Sequence, residues 1–150
     1  MSEKISNSDF IAVMQEAFRR GQELKFTPSG TSMLPMLDGK EDTVTFAPRP
    51  EKLKKYDVVF YWRPRTGQMV LHRLVRFSKD GTYVFSGDNQ YYYEPGVRDE
   101  DILALMVAFT HKGKPRSVND LSYRLYIRRM MLKKRLRMFF SKVRRHLFKK

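Results

Sequence analysis

The chain contains no cysteine. Disulfides, thiolate metal sites and cysteine nucleophiles are therefore excluded, and a reducing compartment is permitted. Histidine is nearly as scarce: His72, His111 and His146 are the three, without metal-ligand spacing, so no metal or other cofactor is expected. No run reaches the roughly 18 to 20 apolar residues that a membrane-spanning helix needs. The N-terminus, MSEKISNSDFIAVMQ, lacks the basic and then apolar regions of a signal peptide. Acid is missing in one region only. Residues 1–111 carry 15 Lys/Arg and 15 Asp/Glu, whereas residues 112–150 carry 15 Lys/Arg and a single acid, Asp120. The net charge of +14 thus belongs to a tail on a neutral domain. That asymmetry calls for a polyanionic partner for the tail, a membrane face or nucleic acid.

What is present suits one small domain: 150 residues, 41% of them hydrophobic. Phe10, Val13, Met14, Ala17 and Phe18 recur at helical spacing and predict an amphipathic helix within residues 1–24, capped by Ser6 or Ser8 and ended by Gly21. Beyond residue 42 the period becomes two. Segments 42–47, 56–63, 68–77, 82–87 and 102–109 are rich in Val, Phe, Tyr and Leu and are separated by Gly, Pro and Asp. They predict a mainly β, antiparallel domain over residues 25–111. A composition break at HKGKPRSV, residues 111–118, separates it from a basic tail over residues 112–150.

In the tail, Leu121, Leu125, Leu132, Leu136, Phe139 or Phe140, Val143 and Leu147 fall at steps of three, four and seven among Lys and Arg. A helix of this kind lies in the headgroup layer of a bilayer. An anionic membrane surface is therefore the expected partner of residues 118–150. Nucleic acid ranks below it, because the apolar face would be idle on phosphates. With neither leader nor span, the expectation is peripheral association, on the cytoplasmic face by the positive-inside preference.

Three stretches carry candidate chemistry. PSGTSMLPML, residues 28–37, holds Ser32 in a loop punctuated by Gly and Pro. QMVLHRLVRF, residues 68–77, sets His72 between apolar neighbours on one strand face, with Arg73 on the other. SGDNQ, residues 86–90, places Asp88 between two strands. Singly, each has an ordinary structural reading as turn residue, core histidine or Asx turn.

In this order, Gly30-x-Ser32-Met33-x-Pro35, Tyr56-Asp57-Val58-Val59, Leu71-His72-Arg73 and Gly87-Asp88-Asn89 resemble the successive motifs of the type I signal peptidase family. The wider group includes the self-cleaving LexA-like repressors. The likeness extends over roughly residues 25–110, and His72-Arg73 matches the histidine-base variant of endoplasmic reticulum and archaeal members. Tyr56 departs from the usual glycine. The resemblance implies a small LexA/signal-peptidase-like β fold and a serine endopeptidase that cleaves a peptide or precursor protein. It implies Ser32 as nucleophile, His72 as general base and Asp88 as the residue that orients the imidazole, with Glu94 as a second candidate for that task. It also implies an oxyanion site at the Ser32 N–H, shaped by Gly30 and Thr31, and small residues beside the scissile bond. Arg73, on the opposite strand face, fits a structural salt bridge. A hydroxyl needs such a base to attack a carbonyl at neutral pH. The alternative is a self-processing or catalytically silent peptide-binding regulator of the repressor type, its tail on nucleic acid or membrane.

Overall fold

The computed structural model describes residues 6–147, which form two compact units divided between Arg116 and Ser117. In the first, helix α1 (Asn7–Arg19) precedes strands β1 (Leu24–Phe26), β2 (Val44–Pro48), β3 (Val58–Arg63), β4 (Gln68–Phe77), β5 (Tyr83–Ser86), β6 (Glu94–Val97), β7 (Ile102–His111) and β8 (Lys114–Ser117). The sheet order is β1-β2-β7-β3-β4-β5-β6, antiparallel throughout, and β8 also pairs with β7. This is the mainly β domain, with a helix at each end of the chain, that the sequence predicts.

Three strands escape the sequence pattern. β1, β6 and β8 have only three or four residues, and β6 and β8 contain Pro95 and Pro115. Proline is tolerated where a strand needs few ladder bonds, so these short segments read as loop. The break expected at residue 111 is a hairpin: Lys112 and Gly113, with φ of 51° and 74°, join β7 to β8. Two consecutive positive φ values match the twist of the flanking strands. The sheet therefore continues to Ser117, and only then does the tail begin.

α1 starts where Ser6 Oγ accepts a hydrogen bond from the Asp9 N–H at 3.1 Å, and Gly21, at φ 71°, follows its end. Its buried face carries Met14 and Phe10, and the Phe10 ring lies 5.3 Å from Phe26 and 6.1 Å from Phe60. Phe26 stacks on Phe46 at 4.6 Å. On the other face of β3, Val59 and Tyr61 pack with Leu53, Leu74, Phe85, Val97 and Ile102. Burial on both faces explains why VVFYW reads as a continuous apolar run.

Arg73, 0% exposed, crosses this architecture. Its Nε and Nη2 donate to the two carboxylate oxygens of Asp88 at 2.8 and 2.7 Å. Nη1 donates to the Tyr56 carbonyl at 3.0 Å, and Nη2 lies 3.2 Å from Met36 Sδ. Tyr56 has φ 77°. The left-handed region costs a residue with a Cβ about 1–2 kcal/mol. Here the conformation is held by the Arg73 bond and by the Tyr56 N–H donating to the Leu74 carbonyl at 2.8 Å.

In the second unit, Asp120 opens α2 (Leu121–Leu147): its carbonyl accepts from the Arg124 N–H at 3.1 Å and its carboxylate from the Ser117 N–H at 2.8 Å. α2 contains ten Lys/Arg and no Asp/Glu. Leu121, Leu125, Leu132, Leu136, Phe139, Phe140, Val143 and Leu147 are all exposed. At about 100° per residue these positions fall within an arc of roughly 100°. Among the described residues, no helix is long and apolar enough to cross a membrane.

Breaking one side of a buried ion pair strands the other charge. Asp88→Asn is expected to lower the unfolding free energy by about 3–5 kcal/mol, read as a reduced urea midpoint at unchanged slope.

Candidate functional site

The loop after β1 explains its own composition. Met33, Met36 and Leu37 are buried, the Leu37 N–H donates to the Met33 carbonyl at 3.1 Å, and the Leu34 N–H donates to the Thr31 carbonyl at 3.2 Å. The apolar residues of PSGTSMLPML are thus the anchor that holds Ser32 at a fixed turn. Two glycines permit the packing. A Cβ on Gly39 would collide with the backbone of Pro28 and Gly30, and one on Gly87 would sit 2.5 Å from the Ser32 carbonyl oxygen.

The turn after β5 clamps the same loop. The Asn89 N–H donates to the Ser32 carbonyl at 2.8 Å, and its side-chain amide donates to the Thr31 carbonyl at 3.2 Å. Gly87-Asp88-Asn89 therefore acts on Ser32 through backbone contacts.

β4 brings His72, 2% exposed, against this loop, with Nε2 3.1 Å from Ser32 Oγ. Its other nitrogen, Nδ1, lies 3.3 Å from the Tyr61 hydroxyl and 3.4 Å from Glu94 Oε1. Glu94, the first residue of β6, is held in turn by β3. The Tyr61 hydroxyl donates to its Oε2 at 2.5 Å, Arg63 Nε donates to Oε2 at 3.0 Å and Arg63 Nη2 donates to Oε1 at 2.6 Å. The tautomer that accepts the Ser32 proton carries its hydrogen on Nδ1, the side facing this carboxylate.

The structure brings Ser32 and His72 together and gives the place facing Nδ1 to Glu94. The assignment of Asp88 to the imidazole is corrected: its carboxylate, 1% exposed, is engaged by Arg73. Strand alternation is the reason. His72 and Arg73 project to opposite faces of β4, and Asp88 lies on the Arg73 face. Gly30 and Thr31 flank Ser32 in the loop, Gly30 at φ 96°. Among the described residues, no protein acceptor takes the Ser32 N–H. Tyr61 and Arg63 were not anticipated as members of the site. Their spacing of two on one strand put them on one face, but within VVFYWR a tyrosine reads as core. Tyr91, Tyr92 and Tyr93 are exposed.

Burial alone raises the Glu94 carboxyl. The hydrogen bonds from His72 and Tyr61, the charge of the imidazole and the Arg63 guanidinium outweigh it and hold Glu94 down to about 2. Burial, reinforced by the neighbouring Glu94 carboxylate, pushes the Tyr61 phenol well above its ordinary value, so it remains a donor. Glu94 therefore stays ionised and presents a fixed negative charge to Nδ1.

Ser32 and His72 line a cleft of about 360 Å³ together with residues of α1, β1, β3 and β4. Among the described residues, no three His, Asp or Glu side chains are grouped to hold a metal ion. The arrangement can deprotonate a hydroxyl as it attacks a carbonyl and stabilise the imidazolium that forms.

No protein-family model, curated protein or solved structure matches the chain.

The depressed Glu94 pKa has a defined sign. Because the folded value, about 2, lies below the ordinary 4.5, ionised Glu94 stabilises the fold above pH 4.5, and the contribution fades as pH falls from 4.5 towards 2. The difference in unfolding free energy between the wild type and Glu94→Gln is expected to be constant near neutrality and to shrink over that acidic range. A difference independent of pH between 2 and 6 would contradict the electrostatic account.

Proposed function

We propose that this protein is a serine endopeptidase of the signal-peptidase-like kind. It uses Ser32 as nucleophile, His72 as general base and Glu94 as the carboxylate that orients and balances the imidazole. One observation carries the reading: His72 Nε2 lies 3.1 Å from Ser32 Oγ and its Nδ1 3.4 Å from the Glu94 carboxylate, and Ser32 and His72 line an open cleft. As Ser32 attacks a peptide carbonyl, its proton passes to Nε2, and a tetrahedral oxyanion and the imidazolium form together. The imidazolium then gives that proton to the amine, the C–N bond breaks as the amine leaves and the acyl-enzyme forms, and water repeats the sequence on the ester. The Ser32 N–H, beside Gly30 and Thr31, is the donor for the oxyanion.

The peptide or precursor-protein substrate binds extended. β4 supports this, since β5 pairs with it only from Arg73 onward, whereas β3 pairs along Gln68 to Arg73. The opposite edge of residues 68–72 is thus open to another strand.

α2 serves this enzyme as a peripheral anchor on an anionic bilayer. Its apolar arc sinks between the headgroups, and its cations, each contributing on the order of 1 kcal/mol near such a surface, pair with the lipid charge. The depth of that exposed Leu/Phe stripe favours lipid over nucleic acid as the partner.

In a mass-spectrometric assay on a mixed peptide library, Ser32→Ala and His72→Ala are expected to abolish cleavage. Glu94→Gln is expected to reduce kcat on the order of 10⁴-fold, the cost of the wrong tautomer. Asp88→Asn, compared at a temperature where both proteins are folded, loses much less. Wild-type levels of cleavage in Ser32→Ala would sink the reading. In sedimentation with vesicles, the wild type is expected to bind mixed phosphatidylcholine/phosphatidylglycerol but not pure phosphatidylcholine, and Leu132→Glu/Phe139→Glu to release it. Binding to duplex DNA or RNA in place of anionic vesicles would assign the helix to nucleic acid.

A further inference from the structure

The cleft beside Ser32 is walled by large apolar side chains from four elements: Phe10 of α1, Phe26 of β1, Phe60 of β3 and Met69 and Leu71 of β4, with Leu37 of the serine loop. The Phe10, Phe26 and Phe60 rings meet edge to face at 5.3, 5.4 and 6.1 Å. Phe26 also stacks on fully buried Phe46 at 4.6 Å. The rings brace one another, so the wall cannot close inward without losing these contacts. The space of about 360 Å³ is thus held open by an apolar wall, with Asn7, Thr27, Ser29, Ser32 and His72 lining the rest.

Chemistry decides what fits there. Among the described residues, no Asp, Glu, Lys or Arg lines the cleft. A charged side chain entering it would shed its hydration and meet no Asp, Glu, Lys or Arg to pair with. An alanine methyl would leave most of the lining without contacts, because dispersion falls away across a gap of even an ångström. A long aliphatic or aromatic side chain satisfies both conditions.

We infer that this cleft is the specificity pocket of the site and takes a large apolar side chain (Leu, Met or Phe) from an extended peptide whose carbonyl lies at Ser32. The inference rests on the endopeptidase reading of Ser32 and His72 and replaces the small-residue preference that the family resemblance implies. It also gives α1 a function: through Phe10 the N-terminal helix forms part of the substrate wall.

Binding and cleavage separate the two ideas. The probes are fluorescently labelled decapeptides of Gly, Ser and Thr with one central Ala, Leu, Phe, Lys or Asp, titrated by anisotropy against the full-length Ser32→Ala protein. Leu or Phe peptides are expected to bind at least about tenfold tighter than the Ala, Lys or Asp peptides. Met69→Trp in the same background fills the space and brings the Leu:Ala ratio towards one. Should that variant fail to fold, Met69→Ala widens the cleft and shifts preference from Leu towards Phe. Equal affinity for Ala and Leu peptides, no binding by any peptide, or ratios unmoved by either Met69 substitution overturns the inference. Preferential Leu or Phe binding to Ser32→Ala without cleavage by the wild type overturns the endopeptidase reading and leaves the pocket assignment standing.

Discussion

The buried guanidinium of Arg73 is the constraint on which the site depends. It reaches Asp88 after β5, the Tyr56 carbonyl before β3 and Met36 in the serine loop. Three segments distant in sequence are thereby fixed around the strand that carries His72. A buried ion pair contributes little net stability, because both charges lose their hydration, but it fixes geometry once formed. Bidentate pairing of a planar fork with a carboxylate leaves few alternative arrangements. The positive φ of Tyr56 is held within the same network, so local strain is offset by a long-range contact.

Around that frame the polar groups divide between the two faces of β4. One face gives Arg73 and Asp88, a closed structural pair. The other gives His72, Tyr61, Glu94 and Arg63, a chain that ends at the Ser32 hydroxyl. Each donor in the second chain favours the ionised state of Glu94, and Glu94 in turn favours the protonated phenol of Tyr61. The network is mutually consistent, which is what keeps so many polar groups tolerable near the core.

The second unit obeys different physics. α2 has no carboxylate to balance its ten cations, and it exposes leucine and phenylalanine along one arc. Tyr123, Ile127, Met131 and Lys134 are buried, whereas the arc of Leu121, Leu125, Leu132, Leu136, Phe139, Phe140, Val143 and Leu147 faces water. An anionic interface satisfies the cations and this arc at once, which is why the proposed anchor belongs to the same account as the proposed enzyme.

Hydrophobic periodicity was sufficient for α1, α2 and strands β2, β3, β4, β5 and β7, and the Gly/Pro punctuation was sufficient for the serine loop. Charge counting isolated the cationic tail, and strand alternation alone separated His72 from Arg73. A three-residue strand and two four-residue strands with proline left no such signal, so β1, β6, β8 and the continuation of the sheet to Ser117 emerged only on folding. The same limit applied to the site. Ser32 and His72 carry motif context, but the choice between Asp88 and Glu94 depends on which face of β4 each carboxylate meets, and Tyr61 and Arg63 are hidden in a core strand. Pattern along the chain determines which face a side chain takes. Which distant side chain it meets there is decided only by the packing of β3, β4 and β6, because that contact depends on register and on the turns between strands.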